Sequence, residues 1–249
     1  MAPGTPQHID LIVRMIKWSN SNLAVFCVAY TLAPNGAYPS QIAECVEGLR
    51  HVLSLPGHSP SNTLLGGDSA GGALVFAVLS HISHPHPRTD AVKKLELKEN
   101  LKGVIAIAPW VSSDNMKYPS MDRFATRDTV NTRNARYWSE AYKGRGKNVP
   151  DDEYVYAALA PAEWWADIKC NEALVMAGQE EGLVDAVSDF AEKYEKGAGK
   201  PKIEFVIGER ETHDAPLNAI LEHKLKEVGR RKQEGAIRMW LIEKIADGK

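Results

Sequence analysis

The chain has 249 residues, 44% hydrophobic and 25% charged, with a net charge of −2. That length suits one α/β domain with a filled core, and the absence of a basic excess argues against nucleic acid as a partner. Three cysteines, Cys27, Cys45 and Cys170, form no CxxC pair, a usage that fits buried thiols in a reducing compartment better than a disulfide framework.

No run of about 18 apolar residues occurs, so no membrane span is expected. The opening MAPGTPQHID lacks the basic start and apolar stretch of a signal peptide, which makes a soluble cytoplasmic protein the expectation.

Ile9–Ser19 carries an apolar stripe and reads as a helix. Leu23–Leu32, LAVFCVAYTL, is apolar on both faces and reads as a strand. Pro39 and Ser40 open a second helix, running to Leu53. Asn62–Gly67 is the next strand, and Ala70–Ile82 the helix after it. His81–Lys102 is a polar, proline-bearing insertion expected as a surface loop. Its His84-Pro85-His86 has no carboxylate or cysteine at useful spacing, so no metal is expected.

Gly103–Val111 is a further strand, followed by an aromatic-rich insertion, Asn115–Lys169. A long insertion after a strand often covers or lines a site, although some of its aromatics serve packing. Glu172–Gly178 and Lys202–Glu209 read as strands around a helix at Val184–Lys196. Pro216–Ile245 reads as helix, broken near Gly229 or Gly235. This alternation predicts a mostly parallel sheet of about five strands with helices on both faces, in a single domain over 1–249.

At the end of one strand and the start of one helix stands Gly67-Asp68-Ser69-Ala70-Gly71. A sharp strand-to-helix turn there projects the Ser69 hydroxyl above the sheet, and small neighbours let strand and helix approach closely. The Ala70 amide at the helix start can meet a developing oxyanion. The bland alternative is a glycine-rich turn that packs or cradles an anion. A serine needs a base, and the base an orienting acid, in loops after later strands. Gln179–Asp185 and Arg210–Asp214 are those loops. His213 follows the acid loop, and the other histidine beyond it, His223, lies in a helical pattern.

Together these residues resemble the α/β-hydrolase fold and, within it, the hormone-sensitive-lipase-like esterases. Gly66–Gly72 is similar to that family's GDSAGG elbow, Tyr30-Thr31-Leu32-Ala33-Pro34 with Tyr38-Pro39 to its Y-R-L-A-P…Y-P segment, and Ala108-Pro109-Trp110 to its S-P-W strand end. Glu181-Gly182-Leu183-Val184-Asp185 resembles the family's E-x-L-x-D acid stretch, which implies Glu181 as triad acid and leaves Asp185 as the alternative. His213-Asp214 stands where the family has H-D, a form common in fungal members, and implies His213 as general base. Thr31 and Asn35 depart from the family's arginine and glutamate, and no HGG occurs. The resemblance therefore implies an N-terminally shortened hydrolase beginning just past its oxyanion loop, with an unpaired sheet edge that a homodimer would cover.

The implied function is hydrolysis of small to medium uncharged carboxylic esters by Ser69, His213 and Glu181, with no cofactor and no metal. Asp68 and Trp110 are expected beside the substrate. Open alternatives are acyl transfer or cyclisation with the same residues, or a weak or silent hydrolase-fold protein that binds a hydrophobic small molecule. A nucleotide-binding protein is disfavoured because GGDSAGG lacks a Walker-type lysine.

Overall fold

The computed structural model describes residues 4–112, 118–199, 202–218 and 232–246. Helix α1 spans Pro6–Trp18, with Thr5 as N-cap, Pro6 in the first turn and a capping box closed by His8, all favourable at a helix start. Helix α2 covers Ser40–Ser54. Strand β1, Leu64–Asp68, runs directly into α3, Ala70–Ser83. Strand β2 is Gly103–Ile107 and β3 is Glu172–Gly178. Between them lie α4, Ser120–Arg123, and α5, Thr132–Lys143. Helix α6, Val184–Ala198, leads to β4, Lys202–Gly208, and then come α7, Ala215–Asn218, and α8, Lys232–Ala246.

The strands pair in parallel in the order β1-β2-β3-β4. Alternate residues divide the core. Val104, Ala106, Ala173 and Val175 face α2, α3 and α6. Ile105, Ile107, Leu174 and Met176 face Leu11 of α1 and Ile237, Trp240 and Leu241 of α8. This is the two-faced burial of a parallel sheet between helices. Helix α3 is buried along most of its length, as its near-continuous apolar sequence demands.

Four strands, not five, form the sheet among the described residues. The expected strand Leu23–Leu32 is irregular, with Val25 40% and Phe26 54% exposed. An apolar run supplies side chains for burial, but a strand also needs a neighbour for its ladder, and none of the four strands pairs with this segment. Among the described residues the outer strands of the sheet are β1 and β4. Gly235 lies inside α8 rather than at a break. His223 and Gly229 lie outside the described residues.

The insertion after α3 is more buried than a surface loop. His86 is 1% exposed, and Val92 and Leu95 join the core. The His86 N–H donates to His81 Nδ1 at 3.0 Å, and the Arg88 N–H to His86 Nδ1 at 3.1 Å. Each neutral ring therefore carries its proton on Nε2, donating to the Lys93 carbonyl from His81 and to the Tyr38 hydroxyl, 2.7 Å away, from His86. Tyr38 in turn donates to Asp152 at 2.8 Å. Burial lowers both histidines, most strongly opposed by the Lys93 carbonyl at His81 and by Asp152 at His86. An unfolded chain takes up these protons near pH 6.5 and the folded rings resist. Their stabilising effect is thus complete above pH 6.5 and declines as pH falls below it. Against the wild-type profile, the urea midpoint of His86→Gln is expected to gain as pH falls from 7.5 to 5.5, because the variant no longer carries the penalty of a ring that resists protonation.

Candidate active site

Strand β1 ends at Asp68, and the next residue turns sharply. Ser69 has φ 48° and ψ −113°, a left-handed conformation that costs a non-glycine residue about 1–3 kcal/mol. The turn is fixed on its β2 side by the Ser69 N–H donating to the Ile107 carbonyl at 2.8 Å, and by the Trp110 N–H donating to the Ser69 carbonyl at 2.9 Å. Gly67 permits it, because a Cβ there would lie 2.4 Å from the Gly71 carbonyl carbon. Gly67→Ala is expected to cost about 1–3 kcal/mol in urea unfolding and to disturb whatever Ser69 does.

Ser69 Oγ lies 2.9 Å from His213 Nε2. His213 is 7% exposed and stands in the loop after β4. Behind it, its Nδ1 faces Glu181 Oε1 at 3.9 Å. Both atoms are buried without a hydrogen-bond partner. The other Glu181 oxygen accepts the Gly178 N–H at 2.8 Å, which anchors a carboxylate with no exposed surface at the end of β3. Serine and acid-loop spacing thus converge on one histidine, with the last contact longer than a hydrogen bond. Such bonds are often loose before substrate arrives.

Asp185 stands elsewhere. Its carboxylate accepts the Ser120 N–H at 2.9 Å and lies 3.7 Å from Arg123, tying the first turn of α6 to α4. Asp68, expected beside the substrate, meets His8 Nε2 at 3.2 Å. Trp110 lines a narrow cavity of about 30 Å³ beside Ala70. Leu74, Trp138, Tyr142, Tyr154 and Tyr156 complete most of its wall. Trp138 stands edge-on to Trp110 at 5.8 Å, and Ser139 pairs with the Tyr156 hydroxyl at 2.6 Å. The aromatic insertion therefore supplies the wall, while Ala70, first residue of α3, offers one of the amides that a helix start leaves without an internal acceptor.

Three neighbours of the site were not singled out by sequence reasoning. Asp214 Oδ2 lies 3.2 Å from His213 Nε2, competing with Ser69 for that nitrogen. Asp128 accepts the Gly182 N–H at 2.6 Å beside Glu181, and His8 braces Asp68. Burial pushes the His213 ring down, but Asp214, Glu181 and Asp128 outweigh it and raise the ring to about 10. Burial raises Asp214, against the pull of the His213 cation. Adjacency to His213 was the available signal for Asp214. None marked His8, which is 60 positions from Asp68.

Among the described residues no group of three or more acidic, histidine or cysteine side chains is placed to hold a metal, and no helix is long and apolar enough to cross a membrane.

A family model described as alpha/beta hydrolase fold matches residues 6–217. The fold is similar to carboxyl esterase 2 of the mycorrhizal fungus Tuber melanosporum, at TM-score 0.73 and 21% identity over 98% of this chain and 74% of that one. A fungal esterase from Rhizomucor miehei superposes at TM-score 0.75, with 19% identity over 99% of this chain and 72% of the other. A hormone-sensitive lipase from a metagenome library does so at TM-score 0.75, with 22% identity over 97% and 72%. In sequence, 168 residues are 31% identical to the FAD-linked oxidoreductase pytB of Aspergillus terreus, covering 64% of this chain and 18% of that protein. The chain thus spans less than a fifth of that curated relative. By the family match over residues 6–217 and the parallel sheet with its strand–serine–helix turn, the chain belongs to the α/β-hydrolase fold family.

Proposed function

We propose that this chain is a carboxylic-ester hydrolase of the hormone-sensitive-lipase-like type, working through Ser69, His213 and Glu181. The observation that carries this reading is the 2.9 Å approach of Ser69 Oγ to His213 Nε2 at a strained strand-to-helix turn. Ser69 Oγ attacks the ester carbonyl as Nε2 takes its proton. The carbonyl oxygen becomes an oxyanion, toward which the Ala70 N–H donates. The bond to the alcohol oxygen then breaks, and His213 returns its proton to that oxygen. A water gives its proton to His213, attacks the acyl-enzyme, and releases the acid while Ser69 regains its hydrogen. Glu181 closes on Nδ1 and stabilises the imidazolium in both halves.

The cavity beside Ala70 has no charged side chain in its wall. Its aromatic and apolar wall favours an uncharged acyl or alcohol group over a charged one. The cavity and the 3.9 Å separation of Glu181 from His213 also favour a second reading, a binder of hydrophobic small molecules with hydrolase ancestry. Hydrolysis of short-chain p-nitrophenyl esters, with Ser69→Ala and His213→Ala as controls, separates the two. Serine-dependent turnover supports the hydrolase, and no turnover from folded protein supports the binder.

Nε2 can accept the Ser69 proton only when the ring is neutral. Because His213 is raised to about 10, turnover is expected to climb through the alkaline range, with no plateau just above pH 6.5. A pH–rate profile over pH 6–10 reads this directly.

A further inference from the structure

We propose that His8 is a positioning residue for the nucleophile, acting by holding the Asp68 carboxylate beside Ser69 on the one side where the sheet offers no support. The inference rests on Ser69 being the nucleophile. The elbow is asymmetric. Toward β2 it is secured by the ladder from Leu64↔Gly103 to Asp68↔Ile107 and by the two backbone bonds of Ser69. On the opposite edge β1 has no neighbouring strand among the described residues.

The brace on that edge comes from α1. The Thr5 N–H donates to His8 Nδ1 at 3.0 Å, with the Thr5 hydroxyl 2.8 Å from the same nitrogen. With Nδ1 accepting, the neutral ring carries its proton on Nε2 and donates it to Asp68 Oδ2 at 3.2 Å. The ring is thus fixed at both ends, between a helix cap and the residue preceding Ser69. The pair is about one-third and one-quarter exposed, at 31% and 27%. The Asp68 hydrogen bond raises His8 most, against burial. Asp68 and Asp214 also face His8 electrostatically. Asp214, 3.2 Å from His213 Nε2, also interacts electrostatically with Asp68 and His8. Capping alone does not require the reach to Asp68. Glutamine is a favoured residue at this helix position, and it would keep the cap while giving up the fixed ring.

The test compares wild type, His8→Gln, Asp68→Asn and the double variant. The rate of Ser69 phosphonylation by a fluorophosphonate is measured alongside the thermal midpoint and the ester KM. We expect His8→Gln to slow labelling and kcat roughly tenfold, because a small misplacement of a reacting atom is costly. The thermal midpoint and KM are expected to stay near wild type, and the double variant to be no slower than the slower single one. Labelling and kcat at the wild-type rate in His8→Gln would overturn the inference, as would a double variant slowed by the product of the two single effects. NMR titration of the His8 ring gives a check independent of activity. Its midpoint lies above 6.5 in wild type and falls in Asp68→Asn if the contact exists, and an unchanged midpoint overturns it. Wild type that shows the His8–Asp68 coupling by NMR but never labels at Ser69 overturns the nucleophile reading itself, and with it any positioning role.

Discussion

Replacing Ser69 or His213 with alanine is expected to lower ester turnover by at least about a thousandfold, and replacing both to lower it no further. Both residues serve one event. Oγ becomes nucleophilic only as Nε2, 2.9 Å away, removes its proton, so either loss removes the whole step. The serine also carries a structural cost at φ 48°. Ser69→Gly is therefore expected to be inactive yet more stable, by about 1 kcal/mol in urea unfolding. A gain in stability with a loss of turnover would identify Ser69 as a position held against local strain for its chemistry.

The second large effect concerns the acid. Glu181→Gln is expected to cut kcat by about 10²–10⁴. The glutamine oxygen can still accept the Gly178 N–H, so the fold is kept. Its amide, however, would donate toward Nδ1 and leave the ring proton on Nε2, where Ser69 needs an acceptor. Asp185→Asn is expected to hold turnover within about threefold, since its carboxylate binds the Ser120 N–H and surface-side changes of this sort act mainly on local stability. The ratio of the two kcat values identifies which carboxylate orients His213.

Much of the fold was legible because burial leaves a pattern. Glu172–Gly178 is apolar on both faces and forms β3 with those bounds. The segments at Leu64–Asp68 and Lys202–Gly208 likewise lie within a residue or two of expectation. Leu23–Leu32 has the same composition and fails as a strand, since side chains cannot report whether a ladder partner exists. The convergence of Ser69 with His213 and Glu181 was legible because each follows a strand whose end faces the same side of the sheet. His8 was not. Its contact with Asp68 depends on where α1 docks, and that docking is written in Leu11 packing against Ile237 and Trp240, not in any local motif. Asp128 was hidden for a related reason, because its influence on His213 comes from tertiary proximity within a buried site.

The most direct test of an activated Ser69 is the intact mass of the folded protein after exposure to a fluorophosphonate at pH 9, followed by peptide mapping. We predict a single adduct on the peptide bearing Ser69, absent in Ser69→Ala and strongly reduced in His213→Ala. A folded sample that acquires no adduct, or one that acquires it equally in His213→Ala, would contradict the assignment of Ser69 and His213 as nucleophile and base.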